Sequence, residues 1–169
     1  MRPSIAAPAL VLVMTPMAAL PCGAQQAKSP APIAVITKLY QEFAGEAVIE
    51  NTDLSTPDLF GRSRTAMARY LDDRLIALVM ADRACTERTK EICNLDFMPI
   101  WDAQDATGAT VELSATKDPA RVLAVLRFSD KTISRLTYVL MQTPGGWRIH
   151  DIEYDKHASL VRMLETKVQ

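Results

Sequence analysis

The chain has 169 residues, enough for one domain with its own hydrophobic core. Its 19 Lys and Arg nearly balance its 20 Asp and Glu, so the net charge is −1. Because a protein that binds a phosphate backbone needs clustered cations, this balance argues against nucleic acid as a partner.

The first 24 residues have the three-part pattern of a signal peptide. Arg2 supplies a positive start, an apolar run extends from Ile5 to Met14, and Cys22-Gly23-Ala24 supplies small side chains before a cut. The apolar run is too short to cross a bilayer, which takes roughly 20 residues. We therefore expect cleavage after Ala24 and a periplasmic or secreted protein without a membrane span. The alternative is lipidation of Cys22, which would anchor the protein to a membrane.

A flexible leader is predicted over residues 25–31, followed by a single domain over 32–169. A helix is predicted from Pro32 to about Glu50, because apolar side chains recur at spacings of three and four. The residues of this buried stripe are Ile33, Ile36, Tyr40, Phe43 and Ala47.

A second helix is predicted from about Arg64 to Arg83, after an irregular connection over residues 51–63. Its apolar stripe consists of Met67, Leu71, Leu75, Leu78 and Val79. The charged residues Asp72, Asp73, Arg74 and Asp82 are expected to face solvent.

Two cysteines, Cys85 and Cys93, follow the predicted signal peptide. In an oxidising compartment an even number of cysteines favours a disulfide, which would close the loop from Thr86 to Ile92. A redox-active pair is less favoured, because the spacing is not Cys-x-x-Cys. The charged loop from Arg83 to Glu91 is either a solvated surface or a recognition surface.

The hydrophobic period changes after Thr110. Strands are predicted near Val111–Ala115, at Arg121–Phe128, at Ile133–Gln142 and at Trp147–Ile152, with turns at Asp118-Pro119, Ser129–Lys131 and Pro144–Gly146. The second strand is nearly continuously apolar, as if it were covered on both faces. A short helix at about Ser159–Lys167 follows. The short connections imply an antiparallel meander.

Two helices followed by four antiparallel strands define an α+β domain whose N-terminal helices pack on a curved sheet. This order resembles the nuclear-transport-factor-2-like roll, also called the cystatin-like or ketosteroid-isomerase-like roll. Three segments are also similar to the exported bacterial family called domain of unknown function 3828. They are Leu39-Tyr40, the segment Leu95–Asp105 and the ending Gly145–Ile152. This family has no established activity, so the resemblance implies a fold and a compartment. These rolls often form dimers through the outer sheet face, here Ile133, Thr137 and Val139, so a homodimer is possible.

Asp96, Asp102 and Asp105 form the densest polar cluster, together with Trp101 and Gln104. Their oxygens are of the type that calcium prefers, but the spacing matches no ion-binding loop, so we expect no metal. The carboxylates either satisfy backbone groups or line a ligand pocket.

Trp147 and Asp151 are predicted to share one face of the last strand, where they would line the interior of the roll. An acid facing an apolar interior must be paired, protonated or functional. His150 and His157 are expected to be exposed.

An isomerase of the ketosteroid type would need a carboxylate base and a hydroxyl donor, for which Tyr40 or Tyr138 could serve. No motif fixes that geometry, so we assign no catalytic residue and no cofactor. The leading hypothesis is non-catalytic binding of a small ligand or cell-envelope component in the concave face. The candidate ligand-binding residues are Tyr40, Asp96, Trp101, Gln104, Asp105, Tyr138, Trp147 and Asp151. The alternatives are an interaction module, such as an inhibitor or immunity-type protein, and a small isomerase or hydrolase.

Overall fold

The structure, a computed structural model, describes residues 31–47 and 58–166. The predictions for residues 1–24, for the leader up to residue 30 and for lipidation of Cys22 lie outside these residues. Within the described part, no helix combines the length and the apolar character that a membrane crossing requires.

Helices and strands occur in the described part in the order that the sequence predicts. They are α1 (Pro32–Phe43), α2 (Arg64–Met67), α3 (Asp73–Thr89), β1 (Thr110–Ala115), β2 (Arg121–Arg127), β3 (Ile133–Thr143), β4 (Gly146–Tyr154) and α4 (Leu160–Glu165). Short 3₁₀ turns lie at Ala44–Ala47 and Leu59–Gly61.

The four strands form an open antiparallel sheet in the order β1-β2-β3-β4, which confirms the predicted meander and the α+β class. One face is buried, with Ala124 of β2 opposite Leu136 of β3, and α1 packs against β1, β2 and β4. The prediction that β2 is covered on both faces is wrong. Its residues alternate between buried and half-buried, which is typical of a sheet with one solvated face.

Helix α1 is shorter than predicted. It ends at Phe43 and continues as the 3₁₀ turn Ala44–Ala47, while residues 48–50 are not described. Its buried side chains are Ile36, Tyr40 and Phe43, which belong to the predicted stripe, and Leu39, which does not.

In place of the single helix predicted from Arg64 to Arg83, the chain forms α2 and α3, which are separated by residues 68–72, and α3 continues to Thr89. Asp72 is not in solvent: it is 5% exposed, and its carboxylate accepts a hydrogen bond of 2.8 Å from the Leu75 backbone N–H as the N-cap of α3. Just before it, residues 70–72 pair with the edge of β4. The Asp72 N–H donates to Ile149 O at 3.0 Å, and the Ile149 N–H donates to Tyr70 O at 2.7 Å. A continuous helix would lose these bonds.

Asp82 is also buried, at 6% exposed, although the helical pattern placed it in solvent. Its carboxylate accepts a 2.7 Å hydrogen bond from the Asn94 N–H, which ties the following loop to α3. The sulfur atoms of Cys85 and Cys93 lie within disulfide-bonding distance, with the Cα atoms 6.2 Å apart. The disulfide and the Asp82–Asn94 bond therefore both connect the loop after α3 to the helix.

A β-bulge in β4 changes which residues share a face. Leu140 pairs with Ile149 but Val139 pairs with Asp151, so His150 is an extra residue. The prediction that Trp147 and Asp151 share a face is therefore wrong. Asp151 instead accepts a 2.9 Å hydrogen bond from the Val161 N–H at the start of α4.

We expect the substitution Asp72→Ala to lower the free energy of unfolding by about 1–3 kcal/mol, because it removes the N-cap of α3 and the buried partner of His150. Asp72→Asn should cost less, since its amide oxygen can still cap the helix. Urea unfolding followed by tryptophan fluorescence measures both values. Equal losses for the two variants would show that the capping bond is unimportant.

Candidate functional site

A cavity of about 710 Å³ lies where three segments meet at one end of the sheet. The segments are 96–107 after α3, 128–134 at the β2–β3 turn, and 156–163 around the start of α4. Its apolar walls include Phe97, Phe128 and Met163, and its polar groups include carboxylates, hydroxyls and an imidazole. This volume is in the range of small-molecule sites, about 300–1,000 Å³.

The carboxylate of Asp102 holds the three segments together. Asp102 lies in a left-handed conformation (φ 53°), which Asp adopts more readily than most residues, and its side chain is 7% exposed. One oxygen lies 2.6 Å from Nε2 of His157, and the other accepts a short hydrogen bond from the Ser134 hydroxyl. Ser134 is itself buried, at the start of β3.

His157 lines the cavity and is exposed, as predicted, but its ring makes several contacts. Its ring stacks on Tyr154 at 4.4 Å and meets Phe97 edge-on at 5.7 Å. Nδ1 lies 3.2 Å from the carbonyl oxygen of Ala158, and Nε2 faces Asp102. Because a carbonyl and a carboxylate only accept hydrogen bonds, a doubly protonated ring satisfies both contacts.

Buried tyrosines support the turn that carries Asp102. Tyr40 donates to Ile100 O at 2.7 Å, so its hydroxyl proton is used, and Tyr138 must donate to the Tyr40 oxygen at 2.8 Å. Tyr154 donates to Pro99 O at 3.0 Å. Burial raises the pKa of all three hydroxyls well above the ordinary value, so they remain neutral donors.

The exposed rim of the cavity is acidic. Hydrogen bonds from the Thr107 hydroxyl and N–H hold the pKa of Asp105 below its usual value, and the N–H and hydroxyl of Thr132 do the same for Asp130. Both are therefore ionised at neutral pH. The nearby amine of Lys156 donates to Ile133 O at 3.1 Å, so this cation is anchored to the backbone.

A second cavity, of about 330 Å³, lies between α1 and β1. Trp101 lines it, and its indole N–H donates to a carboxylate oxygen of Glu46 at 2.5 Å. Burial raises the pKa of Glu46 to about 7 even though this hydrogen bond opposes the shift. The turn at residues 98–103 contributes to both cavities, Asp102 and Ala103 to the first and Trp101 to the second.

The structure brings only some of the predicted ligand residues together. Asp96, Gln104 and Asp105 line the first cavity and are exposed there. Tyr40 and Trp101 are nearly buried and line the second cavity, whereas Tyr138 is fully buried.

The two predicted residues of β4 lie elsewhere. Trp147 is half-buried against the core, and Asp151 supports α4. Neither residue lines the first or the second cavity.

Sequence reasoning missed Ser134, His157 and the β2–β3 turn with Asp130. Ser134 is the polar residue on the inner face of an apolar strand, and that pattern is a signal that a buried partner exists. No sequence pattern indicated that His157 would meet Asp102, 55 residues earlier. Within the described ranges, no cluster of three or more His, Cys, Asp or Glu side chains could hold a metal ion.

Comparison with known proteins adds nothing to this geometry. No family model matches the chain, and no curated protein or solved structure gives a significant match.

The raised pKa of Glu46 predicts a specific pH dependence. The folded state keeps a proton that the unfolded chain releases above its ordinary pKa of 4.5, so stability falls as the pH rises from about 4.5 to 7. Glu46→Gln should remove this fall while its amide oxygen still accepts from Trp101. Thermal unfolding at several pH values should show the variant gaining stability relative to the wild type across that window.

The matched control is Glu87→Gln, on the exposed surface of α3. A stability difference between Glu46→Gln and the wild type that stays constant from about pH 4.5 to 7 would contradict the prediction.

Proposed function

We propose that the protein binds a small ligand with a cationic group and an apolar body, without chemical conversion, in the 710 Å³ cavity. The observation that carries the proposal is the pairing of apolar walls with an acidic rim. Phe97, Phe128 and Met163 offer apolar contact, while Asp96, Asp105 and Asp130 lie at the same opening. The sequence had assigned the ligand to the concave face beneath Trp147, and the proposal now moves it to this end of the sheet.

The charges available to a ligand are mainly negative. Of the charged groups lining the cavity, Asp102 and His157 pair with each other, and Lys156, whose amine donates to a backbone carbonyl, adds one positive charge. The carboxylates of Asp96, Asp105 and Asp130 are left at the exposed rim. Aromatic walls and nearby carboxylates together favour an ammonium or guanidinium group.

Catalysis is less well supported than binding. Both ring nitrogens of His157 are already in contact with acceptors of the protein, Ala158 O and Asp102, so neither is directed at a substrate. The hydroxyl protons of Tyr40, Tyr138 and Tyr154 are all used within the core. Ser134 bonds to Asp102 rather than to the imidazole, so the three residues lack the order of a nucleophilic triad.

We place this binding function in the periplasm or outside the cell, as the signal-peptide pattern predicts. The Cys85–Cys93 disulfide supports that placement, since disulfides persist in oxidising compartments. We also retain the nuclear-transport-factor-2-like roll as the proposed fold family, supported by helices packed on one face of a four-stranded meander. The resemblance to domain of unknown function 3828 remains a proposal carried by its three segments.

The interaction-module alternative has a weaker basis in the structure. Ile92, in the disulfide loop, is 66% exposed. A single exposed apolar side chain is ordinary on a protein surface, so it does not identify a docking patch.

Three probes with the same phenyl group test the ligand class: phenethylammonium, 2-phenylethanol and phenylacetate. We expect the cation to bind tightest and the anion weakest, with affinity for the cation falling as salt screens the rim. Titration by NMR, following Phe97 and Phe128, gives the three dissociation constants. Equal affinity for all three probes, or no binding at the cavity, would refute the proposal.

A matched pair of variants tests the rim. Asp105 accepts a hydrogen bond from the N–H two residues later, and Asp118, in the β1–β2 turn, has the same type of bond to Ala120. Asp105→Asn should weaken binding of phenethylammonium by about two- to fivefold, the effect of one exposed ion pair. Asp118→Asn keeps the same turn bond outside the cavity and should leave binding unchanged.

A further inference from the structure

The loop after α3 connects the disulfide directly to the cavity wall. Cys93 is bonded to Cys85 on α3, and Asn94 donates to the buried Asp82. Asp96 and Phe97, only three and four residues after Cys93, line the cavity. The wall and the disulfide are therefore parts of one short segment.

This segment has few other attachments before Phe97. Helix α3 ends at Thr89, and Lys90 follows in a left-handed conformation (φ 63°), a backbone state that a lysine adopts at some cost. Glu91 and Ile92 are exposed, although the Glu91 N–H donates to the Thr89 hydroxyl at 3.2 Å, and Leu95 is a half-buried contact with the core. Beyond Glu91, the disulfide and the Asp82–Asn94 bond connect the described loop to α3.

Phe97 is the wall residue that this tether positions. The Phe97 ring contacts Tyr154 edge-on at a centroid distance of 5.8 Å and His157 edge-on at 5.7 Å. Phe97 is therefore one of the two aromatic rings, with Tyr154, that pack against the imidazole of His157. If the chain before Phe97 loosens, the packing against His157 and the shape of the opening change together.

We propose that the Cys85–Cys93 disulfide is a clamp on the cavity wall, so that ligand binding depends on its oxidation. This inference rests on the proposed ligand-binding function. A dithiol reductant would supply two electrons and two protons, producing two cysteine thiols and an oxidised dithiol. The segment 91–97 is then held chiefly by the Asp82–Asn94 bond, and the cavity loses one fixed wall.

Hydrogen exchange of the folded protein, with and without the dithiol, tests the clamp itself. Backbone amides of residues 94–98 should exchange at least about tenfold faster after reduction, while amides of β2 and β3 keep their protection. Circular dichroism establishes that the reduced protein stays folded. The double variant Cys85→Ser with Cys93→Ser should show the same exchange without reductant and no further change with it. Unchanged exchange at residues 94–98 in both would overturn the clamp.

The affinity for phenethylammonium tests the consequence for the ligand. Reduction should weaken binding by about three- to tenfold, a modest coupling between two sites. If the reduced protein shows faster exchange at residues 94–98 but binds phenethylammonium as tightly as the oxidised protein, binding does not depend on oxidation of the disulfide. If the oxidised wild type binds no probe, the proposed function fails, whereas the exchange result still decides whether the disulfide holds the segment.

The second tie provides an internal control. Because Asp82 and the disulfide restrain the same segment, Asp82→Ala should accelerate exchange at residues 94–98 more in the double-serine variant than in the disulfide-bonded protein. If Asp82→Ala accelerates exchange equally in the two backgrounds, the Asp82–Asn94 bond and the disulfide do not restrain the same segment.

Discussion

The carboxylate of Asp102 is the contact on which the arrangement of the cavity depends. It joins a turn, a strand and the loop before α4, which are far apart along the chain, by bonding to Ser134 and His157. A buried charge is stable in a protein only when it is paired and hydrogen-bonded. The sheet end, the turn at residues 98–103 and the final loop must therefore come together in one geometry.

The turn at residues 98–103 is fixed from two sides. Its Pro99 and Ile100 carbonyl oxygens accept hydrogen bonds from Tyr154 and Tyr40 in the core. The Met98 N–H donates to Ala103 O at 2.8 Å, which closes the turn on itself. With the backbone held in this way, the left-handed residue Asp102 has a defined direction for its side chain. Tyr40, which the sequence predicts as a ligand residue, thus serves together with Tyr154 to position an acid.

The chain contains two aspartate–histidine pairs with different environments. In the second pair, Nδ1 of His150 lies 2.5 Å from Asp72, and Nε2 lies 3.3 Å from a guanidinium nitrogen of Arg74. Arginine only donates, so Nε2 accepts and the neutral ring satisfies both neighbours. The Arg74 guanidinium also donates a hydrogen bond of 2.5 Å to the Glu165 carboxylate, so this network joins α3, β4 and α4. His157 instead faces two acceptors and lines the cavity, so of the two pairs it is the His157–Asp102 pair that concerns a ligand.

The sequence was most informative where one local rule determines the structure. Alternating apolar residues and turn residues predicted the four strands and their order, and the two cysteines predicted the disulfide. The break at Asp72 was missed because its apolar neighbours Met67, Leu71 and Leu75 keep helical spacing through it. The reason for the break is the pairing of Tyr70 and Asp72 with Ile149 on β4, a tertiary contact that helical periodicity does not contain. Likewise, the bulge at His150 moves the Asp151 side chain to the opposite face of the sheet. The prediction from alternating residues missed this, because alternation holds only where no extra residue is inserted into the strand.

The location of the larger cavity follows from how the buried face of the sheet is filled. Ile36, Leu39 and Tyr40 of α1 are buried, as are the inner residues Tyr138 of β3 and Ile149 of β4. Side chains packed at the density of a protein interior leave little space over β3 and β4, and the smaller cavity on this face lies between α1 and β1. Space remains where irregular segments meet, because turns and loops present polar groups that cannot enter the apolar core. The cluster from Asp96 to Asp105 was thus a useful sequence signal, and its partners came from loops that no periodic pattern describes.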